Sequence, residues 1–277
     1  MKVLLYTLPG ASAESFLFDA HNCHPYQAND DMSGVALGIE LMRHLAAIPN
    51  RHYTSQLLVA PELFGPAFWL DRLSEDEARR LRGTVMLKSV GNRRPLRLQR
   101  AFDETSVISR AAMYVFREKY GTFDSGVFRG VYGNDETIFE APPFRIPSIT
   151  FTRWPFREYH TDLDTPACLS EEHLQDCLDT ALRLCRVLEM SRTFTPKFRG
   201  LVSLSRHGLY LPLPGVGPDG VDFDCAQGRW HRLMNTVPSL LGQGLDLLSV
   251  AEAYQLPADE VYAYLERWAQ AGLVEIA

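Results

Sequence analysis

The stretch of the chain richest in reactive and metal-binding side chains is residues 19–38, DAHNCHPYQANDDMSGVALG. It lies between an apolar run and a segment with helical spacing, where a plain turn would suffice. After Asp19, it contains five more side chains of types that bind metals or carry protons: His21, Cys23, His24, Asp30 and Asp31. Histidine and carboxylate with little thiolate form the ligand set of a hydrolytic zinc site. Zinc chemistry is therefore the first hypothesis for this stretch.

Three further polar clusters occur downstream. Glu62 lies in PELFG after the apolar run LLVA, Asp135, Glu136 and Glu140 lie in YGNDETIFEAP, and His160 lies in REYHTDLDTP after SITFTR. In open α/β sheets the ligand crevice lies beyond the carboxyl ends of the strands. Clusters that follow strands would therefore meet in space. Zinc there would acidify bound water and polarise a carbonyl, and a glutamate would take the proton.

Alternating strands and helices position these clusters. Apolar runs typical of buried strands occur at 15–21, 55–61, 83–91, 94–99 and 146–153. Helical spacing begins at Ser33, a candidate N-cap, and recurs at 64–73, at 104–120 before Gly121, and at 170–192. This alternation predicts an α/β fold, a three-layer sandwich with a mostly parallel sheet.

Composition and charge narrow the class of protein. The 277 residues are 46% hydrophobic and 22% charged, which is ordinary for a globular chain with a sizeable core. A net charge of −6 makes nucleic acid and anionic membranes poor partners. No apolar run suits a signal peptide or a membrane span. The five cysteines form no CxxC pair and are interpreted as reduced, which predicts a cytoplasmic location.

The composition changes after about Thr193. Residues 195–220 are rich in glycine and proline, and residues 247–276 read as helix, tight turn at Leu256–Pro257, helix and strand. That order is typical of a winged helix-turn-helix, so we predict two domains, 1–194 and 195–277. The last 33 residues carry six acidic side chains and one basic side chain, whereas DNA-binding modules need lysine and arginine. The second domain is therefore interpreted as a packing or oligomerisation module.

Three ordered motifs resemble a clan of zinc aminopeptidases that includes bacterial leucyl aminopeptidase and glutaminyl cyclase. AHNC…ANDDMSG is similar to the clan's H-x-D…A-x-D-N-x-S-G signature, and IPSITF…EYHTDLDT is similar to its closing G-I-P…Y-H-T-x-x-D-T segment. HxCHPxxANDxxSG, PExxG and EYHTxxD together resemble, more closely, a bacterial aminopeptidase-like family with a C-terminal winged helix, often linked to polysaccharide biosynthesis. The resemblance covers nearly the whole chain.

The resemblance implies a role for each motif. Asp30 matches the aspartate that bridges two zinc ions or binds one, and His160 matches the last histidine ligand. His21 matches the histidine of H-x-D, with His24 close enough to compete. Glu62 stands where the clan has two glutamates, a general base followed by a ligand. One glutamate cannot fill both roles.

The same resemblance implies that one of the usual protein ligands of a second metal ion is missing from this chain. The clan's further aspartate, near the end of the third strand, falls on Lys88 or Ser89, and Asp135 or Glu136 could compensate. We therefore expect one firmly held zinc ion and a weak or absent second one. Glu62 is expected to be the base, or a ligand with Asp135 or Glu136 as the base.

Each motif also has a plain structural interpretation. Asp30 could be a helix-start residue, and Glu62 could be a partner of a helix dipole. Asp164, before a proline, is typical of turns and caps. Three neighbouring side chains could contact substrate or only pack: Tyr132, Arg153 and Tyr159. The order and spacing of all the clusters together favour a site.

The sequence thus predicts a zinc-dependent aminopeptidase-like hydrolase that cleaves an amide bond in a small peptide or amide substrate, in polysaccharide or other biosynthesis. The alternatives are an acyl-transfer or cyclisation enzyme and a degenerate zinc-binding scaffold. The single Glu62 and the missing strand-end aspartate leave these alternatives open.

The N-terminal region is short by comparison with the clan. Its members normally have a helix and further strands before the first histidine motif, but only 20 residues precede His21. Either the sequence is truncated or the sheet lacks edge strands. A bare sheet edge is prone to association, which would make a homo-oligomer the partner.

Overall fold

The computed structural model describes residues 2–217 and 220–277, which divide into two compact units between Glu189 and Met190. The first unit is built on a seven-stranded sheet. Its strands are β1 (Leu4–Leu8), β2 (Ser15–His21), β3 (Thr54–Ala60), β4 (Leu81–Lys88), β5 (Arg97–Gln99), β6 (Ser125–Gly126) and β7 (Ser148–Thr152). They lie in the order β1-β3-β2-β4-β7-β5-β6. Strands β3, β2, β4 and β7 are parallel, whereas β1 and β5 are antiparallel to their neighbours β3 and β7.

Helices cover both faces of this sheet. They are α1 (Ser33–Ala46), α2 (Phe64–Leu70), α3 (Glu75–Arg80), α4 (Val107–Tyr120), α5 (Glu136–Phe139) and α6 (Glu171–Met190). On one face, Gly38 of α1 lies directly against Leu57 of β3. On the other, Leu58 and Met86 form a buried cluster with Phe139 of α5 and with residues of α2. The α/β class with a largely parallel sheet is therefore confirmed.

The elements differ from the sequence-based expectation at three points. Ser33 does not cap α1, because it lies inside the helix and its hydroxyl donates to the Asn29 carbonyl at 2.7 Å. Strand β1 was not predicted, since its apolar residues are exposed and do not alternate (Leu4 is 58% exposed). Helix α3 was also missed: it is short and polar, and begins at a capping box between Ser74 and Glu77.

The start of α1 is pressed against strand β4. A Cβ atom at Gly34 would lie 1.9 Å from the Leu87 carbonyl oxygen and 2.6 Å from Oδ1 of Asp31. Only glycine permits this approach. The contact brings the turn Ala28–Met32, which carries both aspartates, onto the carboxyl end of the sheet.

The second unit is mainly helical. Its elements are β8 (Phe194–Pro196), β9 (Val216–Gly217), β10 (Gly220–Val221), α7 (Ala226–Gly242), α8 (Leu247–Tyr254), α9 (Ala258–Gln270) and β11 (Val274–Ile276). β8 pairs antiparallel with β11, and β9 with β10. The helix, turn, helix and strand expected near the C-terminus are present as α8, α9 and β11. The winged-helix assignment itself stays a prediction.

The described helices were also compared with the length and apolarity that a membrane span requires. None of them is long and apolar enough to cross a bilayer.

Candidate metal centre

The predicted clusters meet at the carboxyl edge of the parallel strands. His21 is the last residue of β2 and Lys88 is the last residue of β4. Glu62 follows β3, and His160 lies in the turn after β7. Because these four strands run in the same direction, their ends bring together residues that are far apart in sequence.

Asp30, His24 and His160 form one compact group at this edge. Their candidate ligand atoms all lie within 4.8 Å of one another. Nε2 of His160 is 3.1 Å from Oδ2 of Asp30, and Nδ1 of His24 is 3.7 Å from Oδ1 of Asp30. A second group of potential ligands shares one histidine with it: His21, Cys23, His24 and Glu62.

Two atoms of the first group point to a bound cation. Oδ2 of Asp30 and Nδ1 of His24 are buried and form no hydrogen bond with the described residues, although Nε2 of His160 lies 3.1 Å from Oδ2. Buried polar atoms are normally satisfied, so two unsatisfied atoms within one group of candidate ligands favour a bound ligand there. Two histidines and one aspartate match the three protein ligands of a catalytic zinc site with an open fourth position. The residues present therefore fit zinc.

His21 is not a member of this first group, but it contacts both Asp30 and Lys88. The Lys88 ammonium is buried and contacts both Nε2 of His21 and Oδ1 of Asp30. Burial opposes the charge, but the carboxylates of Asp31 and Asp30 outweigh it and raise the pKa of Lys88. Burial lowers the pKa of His21. Nε2 of His21 also lies 3.2 Å from Oδ1 of Asp30, so the imidazole and the Lys88 ammonium both contact this carboxylate oxygen.

Asp30 is held in its ionised form. Burial alone would favour the neutral acid, but hydrogen bonds from His21 and Lys88 and the Lys88 charge hold the pKa of Asp30 well below its usual range. One carboxylate oxygen therefore faces a protein cation, while the other is left for an ion bound by His24 and His160.

Glu62 lies beside the group on a strained loop. Its Oε2 is 3.9 Å from Nε2 of His24, and its side chain is 21% exposed. The next residue, Leu63, has φ of 61°, which non-glycine residues rarely adopt. Its amide donates to Oδ1 of Asp135 at 2.5 Å. Asp135 thereby holds the loop that carries Glu62.

Asp135 is itself part of a buried carboxyl pair. Burial raises its pKa to about 6, and it shares a hydrogen bond with Asp19, whose pKa is raised well above the usual value by burial and by Asp135. One proton between the two carboxyls explains their close approach. The geometry makes Asp135 a positioning residue for the Glu62 loop and not a member of the ligand group.

The structure does not place Glu136 among the candidate ligands of the centre. Both of its carboxylate oxygens accept from the Asn134 amide, at 3.0 and 2.8 Å, and the side chain is buried in its own turn. A substrate-contacting role for Arg153 is excluded for a similar reason. Its guanidinium is buried and bonded to carbonyls and to Asp176.

Asp164, which its place before a proline assigns only to a turn, contacts the segment that carries Asp30. Its side chain is buried, and its two oxygens accept from the amides of Asn29 at 2.6 Å and Asp30 at 3.0 Å. It therefore clamps the backbone that presents the Asp30 carboxylate. The signal was its place as the last aspartate of the YHTDLD motif.

Asp164→Asn is expected to destabilise the fold by about 2–3 kcal/mol, because its amide group would present a donor to a buried backbone donor. We also expect zinc affinity to fall about 10–100-fold, as for other groups that orient a ligand. Urea denaturation and a zinc titration measure the two effects. The exposed neighbour provides the control: Asp162→Asn should change stability by no more than about 0.5 kcal/mol. Equal stability and equal zinc affinity of the two variants would contradict the role of Asp164 in holding the Asp30 backbone.

An aromatic wall borders the centre. The Tyr159 ring stacks on the His160 ring with centroids 3.8 Å apart, and its hydroxyl lies 2.5 Å from that of Tyr132. The Lys88 ammonium is 5.1 Å from the Tyr132 ring centre. Trp154 packs edge-on against Tyr159 at 4.6 Å. Tyr159 thus packs against His160, and Tyr132 packs against Lys88.

Comparison with known proteins places the chain in a family. Residues 2–191 match the family described as a domain of unknown function, DUF4910. The chain belongs to this family. A protein of Clostridium acetobutylicum, named for polysaccharide biosynthesis and an aminopeptidase-like domain, is 27% identical to this DUF4910 chain over 219 residues. The match covers 76% of the chain and 48% of that protein, so the chain spans about half the length of this relative.

Solved structures share the fold of this DUF4910 chain. A Clostridium acetobutylicum crystal structure, provisionally named a peptidase, has a TM-score of 0.76 at 20% identity, covering 99% of this chain and 60% of that one. A zinc aminopeptidase from Bacillus subtilis has a TM-score of 0.55 at 22% identity, covering 66% and 48%. A glutaminyl cyclase from an Acidobacteriales bacterium has 0.57 at 19%, covering 68% and 73%. The resemblance to the zinc aminopeptidase clan is therefore confirmed at the level of fold.

Proposed function

We propose that this DUF4910 chain is a zinc-dependent aminopeptidase-like hydrolase that cleaves an amide bond in a small peptide or amide substrate. The observation that carries the proposal is the convergence of His160 with two buried, unpartnered atoms, Oδ2 of Asp30 and Nδ1 of His24. The names of the relatives support amide hydrolysis and a setting in polysaccharide or other biosynthesis.

We assign each residue of the centre a separate role in this reaction. Zinc held by His24, Asp30 and His160 would supply a Lewis acid that acidifies water and polarises the scissile carbonyl. Glu62, partly exposed beside His24, takes the proton of the attacking water and returns it to the leaving amine. Lys88 keeps Asp30 ionised, and the aromatic wall excludes water from one side.

We propose that a single zinc ion is bound. By resemblance to the zinc aminopeptidase clan, the protein ligands of a second ion would be His21, Asp30 and an aspartate at position 88 or 89. The chain has Lys88 there, and its ammonium already contacts the first two residues. A protein cation thus stands in place of the second metal ion, and a further dication beside it would be repelled.

The first experiment compares purified wild type with Glu62→Gln on a panel of aminoacyl-nitroanilides. We expect kcat to fall about 10²–10⁴-fold with zinc content unchanged, because the variant loses only the proton acceptor. Glu40→Gln, at a half-buried position of α1 outside the candidate ligand groups, is the matched control and should keep full activity. Undiminished turnover by the Glu62 variant would remove this residue from the mechanism.

A second candidate function is acyl transfer or cyclisation. The specific observation is that Leu63 follows Glu62 where the clan's second glutamate would stand, and the chain shares its fold with a glutaminyl cyclase. Release of ammonia from an N-terminal glutaminyl peptide, without hydrolysis of nitroanilides, would favour it. Stoichiometric zinc with neither reaction would favour a binding scaffold.

Further features of the chain remain proposals. We propose that residues 195–277 form a winged helix-turn-helix domain that serves packing or association, and not nucleic-acid binding; salt-sensitive, sub-micromolar duplex binding in a gel shift would overturn this. The exposed β1 edge supports a homo-oligomer, which sedimentation analysis would detect. The five free cysteines support a cytoplasmic location, testable by fractionation.

A further inference from the structure

A second concave surface lies beside the metal centre. It is a cavity of about 730 Å³ in the first unit, between the segment after β4 and the loop after β7. Its basic lining residues are Arg93, Arg94 and Arg157, and Glu158 is its one acidic lining residue. The chain as a whole has a net charge of −6, so the positive charge of this cavity is opposite in sign to the net charge of the protein.

Among residues 2–217 and 220–277, the three arginines have no acidic partners. No ion pair joins any of them to a carboxylate in the part of the chain that the structure describes, and Arg93 only approaches the Ala167 carbonyl at 3.5 Å. Arginines a few residues away are paired: Arg97 with Asp124 at 2.7 Å, and Arg100 with Glu104 at 3.1 Å. Guanidinium groups offer a planar fork that suits carboxylate and phosphate oxygens.

The backbone of Arg94 is held by hydrogen bonds on both sides. The Arg94 amide donates to Oδ1 of the buried Asn92 at 2.9 Å, and its carbonyl accepts from the Arg153 guanidinium. The Asn92 side chain in turn donates to the Ser89 carbonyl at 3.3 Å, next to Lys88. A rigid base of this kind lets flexible arginine side chains converge on one ligand at low entropic cost.

The cavity is joined to the metal centre by one short segment. Phe156, in the cavity wall, packs against Tyr159 with ring centroids 5.6 Å apart, and Tyr159 stacks on His160. The Thr161 amide donates to the Glu158 carbonyl at 3.1 Å, which closes a single turn around His160. The centre and the cavity are therefore lined by neighbouring residues of one segment, 156–160.

We propose that this cavity binds an oxyanion, a carboxylate or a phosphate, carried by the substrate on the side away from the scissile amide. The assignment of the cavity as a substrate subsite rests on the proposed hydrolase function, whereas anion binding by the cavity does not. The preferred substrates are then anionic acyl compounds, and a neutral peptide amide is a poor one.

The test titrates the full chain with inorganic phosphate and, separately, with acetate, by calorimetry, as purified and after chelation of metal. We expect binding in both states that weakens with salt, and the stronger of the two anions identifies the subsite chemistry. The double variant R94Q/R157Q should bind about tenfold or more weakly with unchanged zinc content and melting temperature. R80Q/R145Q, with two exposed arginines elsewhere, is the matched control.

A substrate series separates this inference from the proposed function. Neutral, carboxylated and phosphorylated amides are compared as kcat/KM, and R94Q/R157Q should lower the anionic-to-neutral ratio about tenfold while sparing the neutral substrate. Anion binding that survives chelation and is lost in R94Q/R157Q, without any hydrolysis, supports the cavity and refutes the hydrolase. Hydrolysis with no anion preference, or anion binding equal in both double variants, overturns the inference and leaves the hydrolase standing.

Discussion

Asp30→Asn is expected to lose zinc and to destabilise the fold, and the two losses have separate causes. The amide has no negative charge to offer the metal, so zinc affinity should fall by more than about a hundredfold, the upper end seen for residues that only orient a ligand. The variant also leaves the buried Lys88 ammonium without its closest carboxylate. Breaking a buried ion pair costs about 3–5 kcal/mol.

Two further variants separate these causes. His160→Gln removes a zinc ligand but leaves the contact between Lys88 and Asp30 intact, so it should lose zinc with little change in the stability of the metal-free protein. D30N/K88M removes both members of the buried pair, so it should regain most of the stability but no zinc. Metal analysis and urea denaturation in the presence of a chelator measure both. Full zinc occupancy in Asp30→Asn would contradict the assignment of the centre.

Lys88→Asp is expected to raise the zinc content from one to two ions per chain. The change removes the cation between His21 and Asp30 and supplies the strand-end aspartate that the clan comparison finds missing. Three ligands, two of them carboxylates, would then face a second ion. Without metal the same variant should be less stable than wild type, because a new carboxylate would lie beside Asp30 and Asp31.

Lys88→Met is the matched control, since it removes the charge and supplies no ligand. It should bind one zinc ion, which separates loss of repulsion from gain of a ligand. Metal analysis after dialysis against limiting zinc counts the ions, and cobalt substitution reports their geometry by absorption. Two ions in wild type, or one in Lys88→Asp with the fold intact, would contradict the role given to Lys88.

Much of the fold could be predicted locally. The buried strands β2, β3, β4 and β7 are continuous apolar runs, and the longer helices carry apolar residues at helical spacing. Their alternation is enough for the α/β class. Strand β1 and helix α3 could not be found in this way, because one is exposed and the other is polar, and neither buries a periodic face.

The positions of His21 and His24 depend on strand register. Strands β2 and β4 pair in parallel with Asp19 opposite Met86, so the two strand-end residues His21 and Lys88 are neighbours across the ladder. His21 thereby contacts the Lys88 ammonium as well as Oδ1 of Asp30. His24 lies three residues beyond the strand, on a loop that turns back over Asp30. Sequence spacing alone treats both histidines alike.

Local patterns are enough to predict which motifs approach one another: Asp30, Glu62 and His160 follow strands whose parallel order brings their carboxyl ends to one edge. The contacts of each side chain there follow from the folded structure. Glu136 accepts from Asn134 in its own turn, Arg153 is bonded to carbonyls, and Asp164 accepts from the Asp30 amide. The last two contacts join buried donors and acceptors that are 59 and 134 positions apart, and no local pattern of residues identifies such a partner.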